Sequence, residues 1–307
     1  MITCYCNITY RCNNRCLFCA ADPLVGTSDD ISLSRFREIL ETCRIKAGDT
    51  VVLNGGEPTV HPDLFRFCRE ISLRGAATDL FTNGKKLADP DFLNRLLDIP
   101  TPMIVRIPVF GKSPETHDRL TGVNGNFNAV CAAIGALHEH GKKNLLVDIK
   151  LLFSKATLPE NPGIFDRFRP ELDDKRFQLS LNHLLISQQV IEHQNMFFLP
   201  YRELIDRSLN LLETVRRSGV NCRINMPVCL LPEQFRPRKQ PAGAAPPSRR
   251  RVFYSDPKTI CRETPREVHP ACAGCTYIDR CSAFPASYLS FYGSSEISPI
   301  TPDVSAV

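Results

Sequence analysis

The stretch Thr9-Tyr-Arg-Cys-Asn-Asn-Arg-Cys-Leu-Phe-Cys19 places Cys12, Cys16 and Cys19 in a C-x3-C-x2-C spacing. Three thiolates at this spacing can bind three irons of a 4Fe–4S cube and leave the fourth iron open for another ligand. An apolar run at residues 4–9 directly precedes them, so we expect a loop that follows a β-strand. Zinc is the alternative, although zinc sites normally use four ligands and often paired C-x2-C units.

A glycine pair follows the next apolar run. Residues 50–54 lead into Gly55-Gly56-Glu57-Pro58, and glycine lets a backbone approach a ligand without a Cβ clash. A carboxylate beside such a turn can accept a hydrogen bond from an ammonium group. Thr82 and Asn83 follow a further strand predicted at residues 78–81. Three successive strands are therefore predicted to end in loops that carry polar or cysteine side chains.

These motifs, in this order, resemble those of the radical S-adenosylmethionine (SAM) superfamily, whose signature is C-x3-C-x-φ-C with an aromatic residue at φ. The resemblance implies a SAM-binding 4Fe–4S cluster on the three cysteines and a methionyl amino group bound at the glycine motif. It also suggests a basic residue on the fifth strand that binds the SAM carboxylate, with an internal ion pair as the alternative. The expected cofactor-binding residues are Phe18 (at φ), Gly55, Gly56, Glu57, Pro58, Thr82, Asn83 and Lys150.

Alternating strands and helices predict an α/β fold. Apolar runs predict six strands, at residues 4–9, 51–54, 78–81, 103–110, 145–153 and 177–186. Apolar residues at helical spacing lie between them, and two of these helices are expected to end before Gly141 and Gly219. The alternation implies parallel pairing with right-handed crossovers, but it does not distinguish a barrel from an open doubly wound sheet. The family resemblance narrows this to a partial (β/α)6 TIM-type barrel over residues 1–219, with the site at the carboxyl ends of the strands.

A second cysteine group lies in residues 220–292 and contains the unit C-x2-C-x5-C. The expected ligands are Cys229, Cys272, Cys275 and Cys281. Cys261 is the alternative to the first of these. Four thiolates can saturate a second 4Fe–4S cluster or a zinc ion. The segment resembles the auxiliary-cluster extensions of SPASM and twitch radical SAM proteins, and more narrowly a maturase of the His-Xaa-Ser peptide system. This resemblance implies a small auxiliary iron–sulfur extension.

Other residues are predicted to have structural roles. Cysteines at apolar helical or strand positions are expected to pack in the core: Cys4, Cys6, Cys43, Cys68 and Cys131. Residues 117–122, His-Asp-Arg-Leu-Thr-Gly, follow the fourth strand and are predicted to form a turn with local hydrogen bonds. Proton transfer or substrate contact by this segment is the alternative.

Composition bounds the class of protein. The chain has 307 residues and a formal net charge of +5, and it contains no run of about 18 apolar residues and no charged leader before an apolar stretch. We therefore expect a cytoplasmic protein whose fourteen cysteines are not in disulfides. Basic residues concentrate at 236–251 among prolines, which predicts a disordered insertion that either has no further role or attracts an acidic partner. Residues 293–307 are predicted to be a disordered tail.

The expected function follows from the resemblance. A radical SAM enzyme cleaves SAM reductively to a 5′-deoxyadenosyl radical that removes a hydrogen from the substrate, here expected to be a ribosomally made peptide. An enzyme acting on a small molecule or RNA in cofactor or nucleotide biosynthesis is one alternative, and a non-catalytic iron–sulfur electron-transfer or regulatory module is another. Expected partners are the peptide and an external one-electron donor such as flavodoxin or ferredoxin. A separate leader-binding partner is also expected, because the chain starts almost directly at its first strand. Neither a membrane nor a nucleic acid is expected as a partner.

Overall fold

The computed structural model describes residues 1–19, 29–237, 251–259, 261–263 and 267–301. Within these residues a single sheet of nine strands runs in the order β7-β6-β5-β4-β3-β2-β1-β8-β9. The strands are β1 (Ile2–Thr9), β2 (Thr50–Gly55), β3 (Ala77–Phe81), β4 (Met103–Val109), β5 (Leu145–Phe153), β6 (Phe177–His183), β7 (Cys222–Asn225), β8 (Arg251–Ser255) and β9 (Arg262–Glu263).

Helices connect successive strands of the sheet. In the described residues they are α1 (Leu33–Thr42), α2 (Leu64–Leu73), α3 (Pro90–Leu97), α4 (Pro114–Thr121), α5 (Asn126–Glu139), α6 (Asn161–Arg167), α7 (Arg169–Leu172), α8 (Gln188–Glu192), α9 (Gln194–Phe197), α10 (Tyr201–Ser218) and α11 (Ala286–Tyr292). Local signals explain several ends. The Ser32 side chain accepts from the Arg35 amide at the start of α1, and Gly219 ends α10 in a left-handed conformation.

The predicted α/β partial barrel is confirmed. Strands β1 to β7 pair in parallel with their sequence neighbours, and β8 pairs in parallel with the other side of β1. The sheet is not closed, since β7 and β9 are its edge strands in the described part of the chain. Three strands were not predicted from the sequence, namely β7, β8 and β9. The sixth predicted strand was too long, because β6 already ends at His183.

The two faces of the sheet differ in polarity. On β5, Val147, Ile149 and Leu151 are fully buried in the main core between sheet and helices. Burying such a side chain contributes about 1.5–3 kcal/mol. The alternate residues Asp148 and Lys150 lie on the opposite, inner face, as the two-residue period of a strand requires. The inner face is therefore the polar lining of the open barrel.

The C-terminal part differs from the expected boundaries. The sheet continues beyond residue 219 through β7 and β8, so the extension is not separate from the barrel. Arg251, expected in the disordered insertion, begins β8, while residues 238–250 lie outside the described residues. Residues 293–301 are ordered, contrary to the predicted tail, because Glu296 accepts hydrogen bonds from the Tyr201 and Arg202 amides at the start of α10. Residues 302–307 lie outside the described part.

Candidate functional site

The cysteine loop follows the carboxyl end of β1. Cys12, Cys16 and Cys19 are all partly buried. The Asn14 amide donates to the Cys12 Sγ (3.4 Å), and the Cys19 amide donates to the Cys16 carbonyl oxygen (3.3 Å). Burial raises the pKa of Cys16 to about 12, and negative charge on Cys12 and Cys19 acts in the same direction. The three thiols thus share one electrostatic environment in which bound metal would favour the thiolate forms.

The glycine motif packs against this loop. The Gly56 amide donates to the Thr9 carbonyl oxygen (2.7 Å) and the Glu57 amide to the Arg11 carbonyl oxygen (2.8 Å). A Cβ on Gly55 would overlap the Thr9 carbonyl oxygen, and one on Gly56 would overlap that of Arg11. Gly55 also has a φ of +120°. The close approach that these glycines allow here is to the backbone of the cysteine loop rather than to a ligand.

Glu57 lies buried beneath this junction, with Pro58 beginning the short 3-10 helix that follows it. Its Oε1 accepts from the amide and hydroxyl of Thr59 (3.0 and 2.5 Å) and from the Thr82 hydroxyl (2.6 Å). Its Oε2 accepts from the Asn83 amide (2.6 Å), which leaves Oε2 with capacity for one more donor. Burial raises the pKa of Glu57 more than these hydrogen bonds lower it. A cation at Oε2 would act in the opposite direction.

The loop after β3 holds the cysteine loop from a second side. The Asn83 side chain donates to Asn13 Oδ1 (2.7 Å), and the Lys85 ammonium donates to the Asn13 carbonyl oxygen (2.9 Å). The positive charge of Lys85 lowers the pKa of Cys12, although burial raises it more. Sequence reasoning missed Lys85. Its position two residues after Asn83 was the available signal.

Helix α4 holds the cysteine loop from a third side. The Arg15 amide donates to the Thr121 carbonyl oxygen (2.8 Å), and the Leu17 amide donates to that of Leu120 (3.0 Å). Gly122 ends the helix in a left-handed conformation, with a φ of +69°, and lies directly against the Arg15 backbone. The segment predicted to be a turn is therefore the helix that supports the cysteine loop.

Phe18 and Lys150 lie in different surroundings. The Phe18 ring packs edge-on against Phe110 (4.7 Å between centroids) and Phe197 (5.4 Å) in a small apolar cluster. The Lys150 Nζ donates to Asn182 Oδ1 (3.1 Å) and lies 5.3 Å from the Phe81 ring centre. No carboxylate of the described residues lies within ion-pair distance of it. Burial lowers the pKa of Lys150.

The acids on the inner face are held by an arginine. Arg106 on β4 makes two hydrogen bonds to Asp79 on β3 (2.7 and 2.8 Å) and a further one to Asp148 on β5. Asp148 is completely buried and Asp79 nearly so. Both carboxylates of this lining are therefore neutralised by a cation other than Lys150.

The four C-terminal cysteines come together. Cys229, Cys272, Cys275 and Cys281 line one pocket, with apolar residues forming most of its remaining wall. The amides of Val228 and Ala283 both donate to the Cys281 sulfur (3.3 Å each). Burial raises the pKa of Cys229, and the charges of Cys281 and Cys275 add to this effect. Four thiols and two aligned amides form a donor set suited to a thiolate-bound centre.

Cys261 does not lie in that pocket. It forms a disulfide with Cys43, and the Cys4 sulfur lies 3.8 Å from that of Cys43. The expectation that no cysteine would be paired is therefore wrong for these two. Cys43 ends α1 and Cys261 precedes β9, so the pairing depends on a contact between elements at opposite ends of the chain. Cys4, Cys6 and Cys68 are buried in the core as expected.

Neither cysteine group converges on one point. Among residues 1–19, 29–237, 251–259, 261–263 and 267–301, no three His, Cys, Asp or Glu side chains lie close enough for a single metal ion. In a 4Fe–4S cube each thiolate binds a different iron, so its ligands need not meet at one atom.

Comparison with known proteins agrees with the motifs. Residues 6–158 match the family model described as the radical SAM superfamily. The chain is 25% identical over 166 residues to Fe-coproporphyrin III synthase of Methanosarcina barkeri, which covers 54% of this chain and 40% of that protein. It is 31% identical over 137 residues to the PqqA peptide cyclase of Rhizobium meliloti, which covers 42% of this chain and 34% of that protein. It thus spans less than half the length of either relative.

A similar fold occurs in a solved structure, that of Streptococcus suis SuiB bound to its precursor peptide SuiA. The TM-score is 0.56 at 14% identity, over 73% of this chain and 48% of SuiB. At this identity the likeness concerns the fold alone. In the portion of this chain that the structure covers, no helix combines the length and apolar character needed to cross a membrane.

Proposed function

Because the chain belongs to the radical SAM superfamily through residues 6–158, we propose that it is an enzyme that cleaves SAM reductively and abstracts a hydrogen from a ribosomally made peptide. The observation that carries the proposal is the junction of three elements around Cys12, Cys16 and Cys19. The β2 turn, the β3 loop and α4 all hydrogen-bond to the backbone of this one loop. An electron carrier would need the cysteines but not the adjoining Glu57 pocket.

The residues of the first site would have separate roles in binding the cluster and SAM. Cys12, Cys16 and Cys19 would hold a 4Fe–4S cluster, and the free lone pair on Glu57 Oε2 would accept from the methionyl amino group of SAM. When bound, the cluster supplies the electron that splits SAM into methionine and the 5′-deoxyadenosyl radical. Asn83 and Lys85 fix the cysteine loop through Asn13, and the apolar cluster around Phe18 excludes water from one side of it.

The C-terminal pocket is proposed to hold a second 4Fe–4S cluster on Cys229, Cys272, Cys275 and Cys281. The support is that the four thiols line one cavity while Cys261 is engaged with Cys43. Two amides donating to the Cys281 sulfur stabilise its thiolate. Such a site would take up or pass on an electron close to the substrate.

Support for a peptide substrate comes from the relatives. One is named a PqqA peptide cyclase, and a protein of similar fold is described in complex with a precursor peptide. We further propose an external one-electron donor of the flavodoxin or ferredoxin type, and a separate leader-binding partner. The Fe-coproporphyrin III synthase relative favours a tetrapyrrole or other small molecule as the second candidate substrate.

The experiment uses anaerobically reconstituted protein. The wild type should bind about four irons per site and form 5′-deoxyadenosine from SAM. Replacing Cys12, Cys16 and Cys19 by Ala should remove about half the iron and all 5′-deoxyadenosine, whereas replacing Cys272, Cys275 and Cys281 should remove the other half and retain some cleavage. Cys131→Ala, outside both groups, is the control and should change neither quantity. Normal cleavage without the first three cysteines would refute the assignment.

The substrate is tested separately. A candidate precursor peptide co-expressed anaerobically should gain a modification detectable by mass spectrometry, and growth in deuterium oxide also detects epimerisation. An unchanged peptide together with turnover of a porphyrin would support the second candidate instead.

A further inference from the structure

Two cations lie in one row across the inner face of the barrel. Lys150 on β5 is in register with Ser180 on β6, which is in register with Arg223 on edge strand β7. Residues in register point to the same face of a sheet, so both cations face the interior of the open barrel. Burial lowers the pKa of Lys150 most; the charges of Asp148 and Asp79 raise it, and those of Arg106 and Arg223 lower it.

Neither cation has an acidic partner. Asp79 and Asp148, the acids of strands β3 to β7 on this face, are both bound by Arg106. Within the described ranges the Lys150 ammonium makes one hydrogen bond, to Asn182, and the Arg223 guanidinium has no hydrogen bond or ion pair. Burying an ammonium with two of its three donors unused is costly. The lining therefore has three cations against two carboxylates, and an anion would complete it.

The side-chain amides of Asn182 and Asn225, next to Lys150, already make hydrogen bonds within the protein. Asn182 Oδ1 accepts from the Lys150 ammonium and from the Asn225 side chain (2.8 Å). The Asn182 side-chain nitrogen donates to the Ser180 hydroxyl. These bonds hold the Lys150 ammonium in place between β5 and β7. A preorganised ammonium beside a free guanidinium is an arrangement that binds carboxylates.

We propose that Lys150 and Arg223 bind a carboxylate of the substrate, an acidic side chain or the carboxyl terminus of a peptide. This rests on the proposed function. The methionyl carboxylate of SAM is a rival occupant, but Arg223 stands on β7, which β3, β4, β5 and β6 separate from the Gly55-Gly56-Glu57 turn. In an unmodified peptide, carboxylates are the anionic groups that can reach such a site.

The test is protection of Lys150 from amine acetylation in the anaerobically reconstituted protein, followed by peptide mass spectrometry. The probe is N-acetylglutamate amide, and N-acetylglutamine amide is its neutral isostere. We expect the glutamate probe to slow Lys150 acetylation severalfold and the glutamine probe to leave it unchanged. The same should hold in saturating SAM. Exposed Lys143 serves as the internal control and should be acetylated equally throughout.

Two variants sharpen the result. Arg223→Gln should abolish the protection, while Arg223→Lys, which keeps the charge at this exposed edge, should retain part of it. Equal protection by both probes, or by neither, would overturn the proposal. The proposal would also be overturned if SAM alone fully protected Lys150 from acetylation and the glutamate probe then had no further effect. That result would assign the site to the methionyl carboxylate. Because the readout does not involve turnover, a protein that fails to form 5′-deoxyadenosine still gives a clear answer here.

Discussion

At the scale of single residues, His117 shows how burial fixes a protonation state. Its Nδ1 accepts from the Phe110 amide (3.2 Å), its Nε2 lies 3.1 Å from the Asn126 side-chain amide, and the ring is almost completely buried. Burial lowers its pKa from 6.5 to about 4. His117 lies on α4, the helix that supports the cysteine loop, and its neutral ring links that helix to the end of β4 and the start of α5.

Stability should therefore depend on pH through His117. Below pH 6.5 the unfolded chain binds a proton here, and the folded protein does not until the pH nears 4. As the pH is lowered from about 6.5 to about 4, the free energy of unfolding should fall by about 3 kcal/mol and then level off. Urea unfolding at several pH values should show that His117→Gln lacks this part of the fall.

The difference between the wild type and the variant is the quantity to compare. Glu57, whose pKa is raised, contributes in the opposite direction, because its ionised form is disfavoured by folding and stability from this residue declines as the pH rises. An unchanged slope in His117→Gln would show that the ring is charged in the folded protein.

Residues of the site differ in how far sequence could identify them. Spacing alone predicts Cys12, Cys16 and Cys19 as metal ligands, because a metal-binding loop is a local pattern. The partners of Gly55 and Gly56 could not be predicted, since their contacts are to the backbone of a segment distant in sequence. Lys85 was missed for the same reason, because its bond to Asn13 depends on the parallel pairing of strands.

At the scale of elements, the end of α4 is a docking point. Gly122 and Gly125 both adopt a left-handed backbone, with φ values of +69° and +77°. A Cβ on Gly122 would lie 2.6 Å from the Arg15 carbonyl oxygen, while one on Gly125 would meet nothing within 4 Å. The two glycines share the same conformational strain but only one touches the cysteine loop.

Gly122→Ala should therefore disturb the cysteine loop and Gly125→Ala should not. Each variant should lose about 1 kcal/mol of stability from the left-handed backbone. Gly122→Ala should in addition hold less iron at the first site after anaerobic reconstitution, as measured by iron analysis and cluster absorbance. Equal iron in the two variants would mean that α4 supports the fold without supporting the loop.

Elements were predicted where the pattern was long. Strand β5 was predicted with its observed bounds, because its nine residues are apolar except for Asp148 and Lys150. Strand β7 has four residues and an exposed edge, so it carries too little apolar signal. Strand β8 begins with Arg251 at the end of a basic, proline-rich run, and composition pointed to disorder there.

At the scale of the whole molecule, one arginine links three strands. Arg106 binds Asp79 on β3 and Asp148 on β5 across the inner face, where all three side chains are largely buried. Asp79, Arg106 and Asp148 lie within their strands and so link the inner faces of β3, β4 and β5. Removing the cation would leave two buried carboxylates unpaired.

Arg106→Met should destabilise the protein by about 3–5 kcal/mol, measured by urea unfolding. The triple change Arg106→Met, Asp79→Asn and Asp148→Asn should recover much of the loss, because it removes the unpaired charges. Arg216→Met, which breaks a solvent-exposed pair with Glu213, is the control and should have a much smaller effect on stability. A small effect of Arg106→Met would indicate that water reaches the network.

The overall architecture was predictable because regular alternation of strands and helices permits few topologies. Whether the sheet closes was not, since its edges in the described part of the chain are the short strands β7 and β9, which carry little apolar signal. The fit of the four C-terminal cysteines around one cavity likewise became visible only when the chain was folded.

The three-sided support of the cysteine loop also sets an order of events during synthesis. Cys12, Cys16 and Cys19 leave the ribosome well before Leu120 and Thr121, whose carbonyl oxygens accept from the backbone of the cysteine loop. Until residue 122 has emerged and the first four strands have paired, the cysteine loop lacks the backbone hydrogen bonds that hold it in the folded protein. If the proposed cluster binds here, iron loading would follow folding of half the barrel, and a cell that makes this chain would have to protect three exposed thiols from oxidation during that interval.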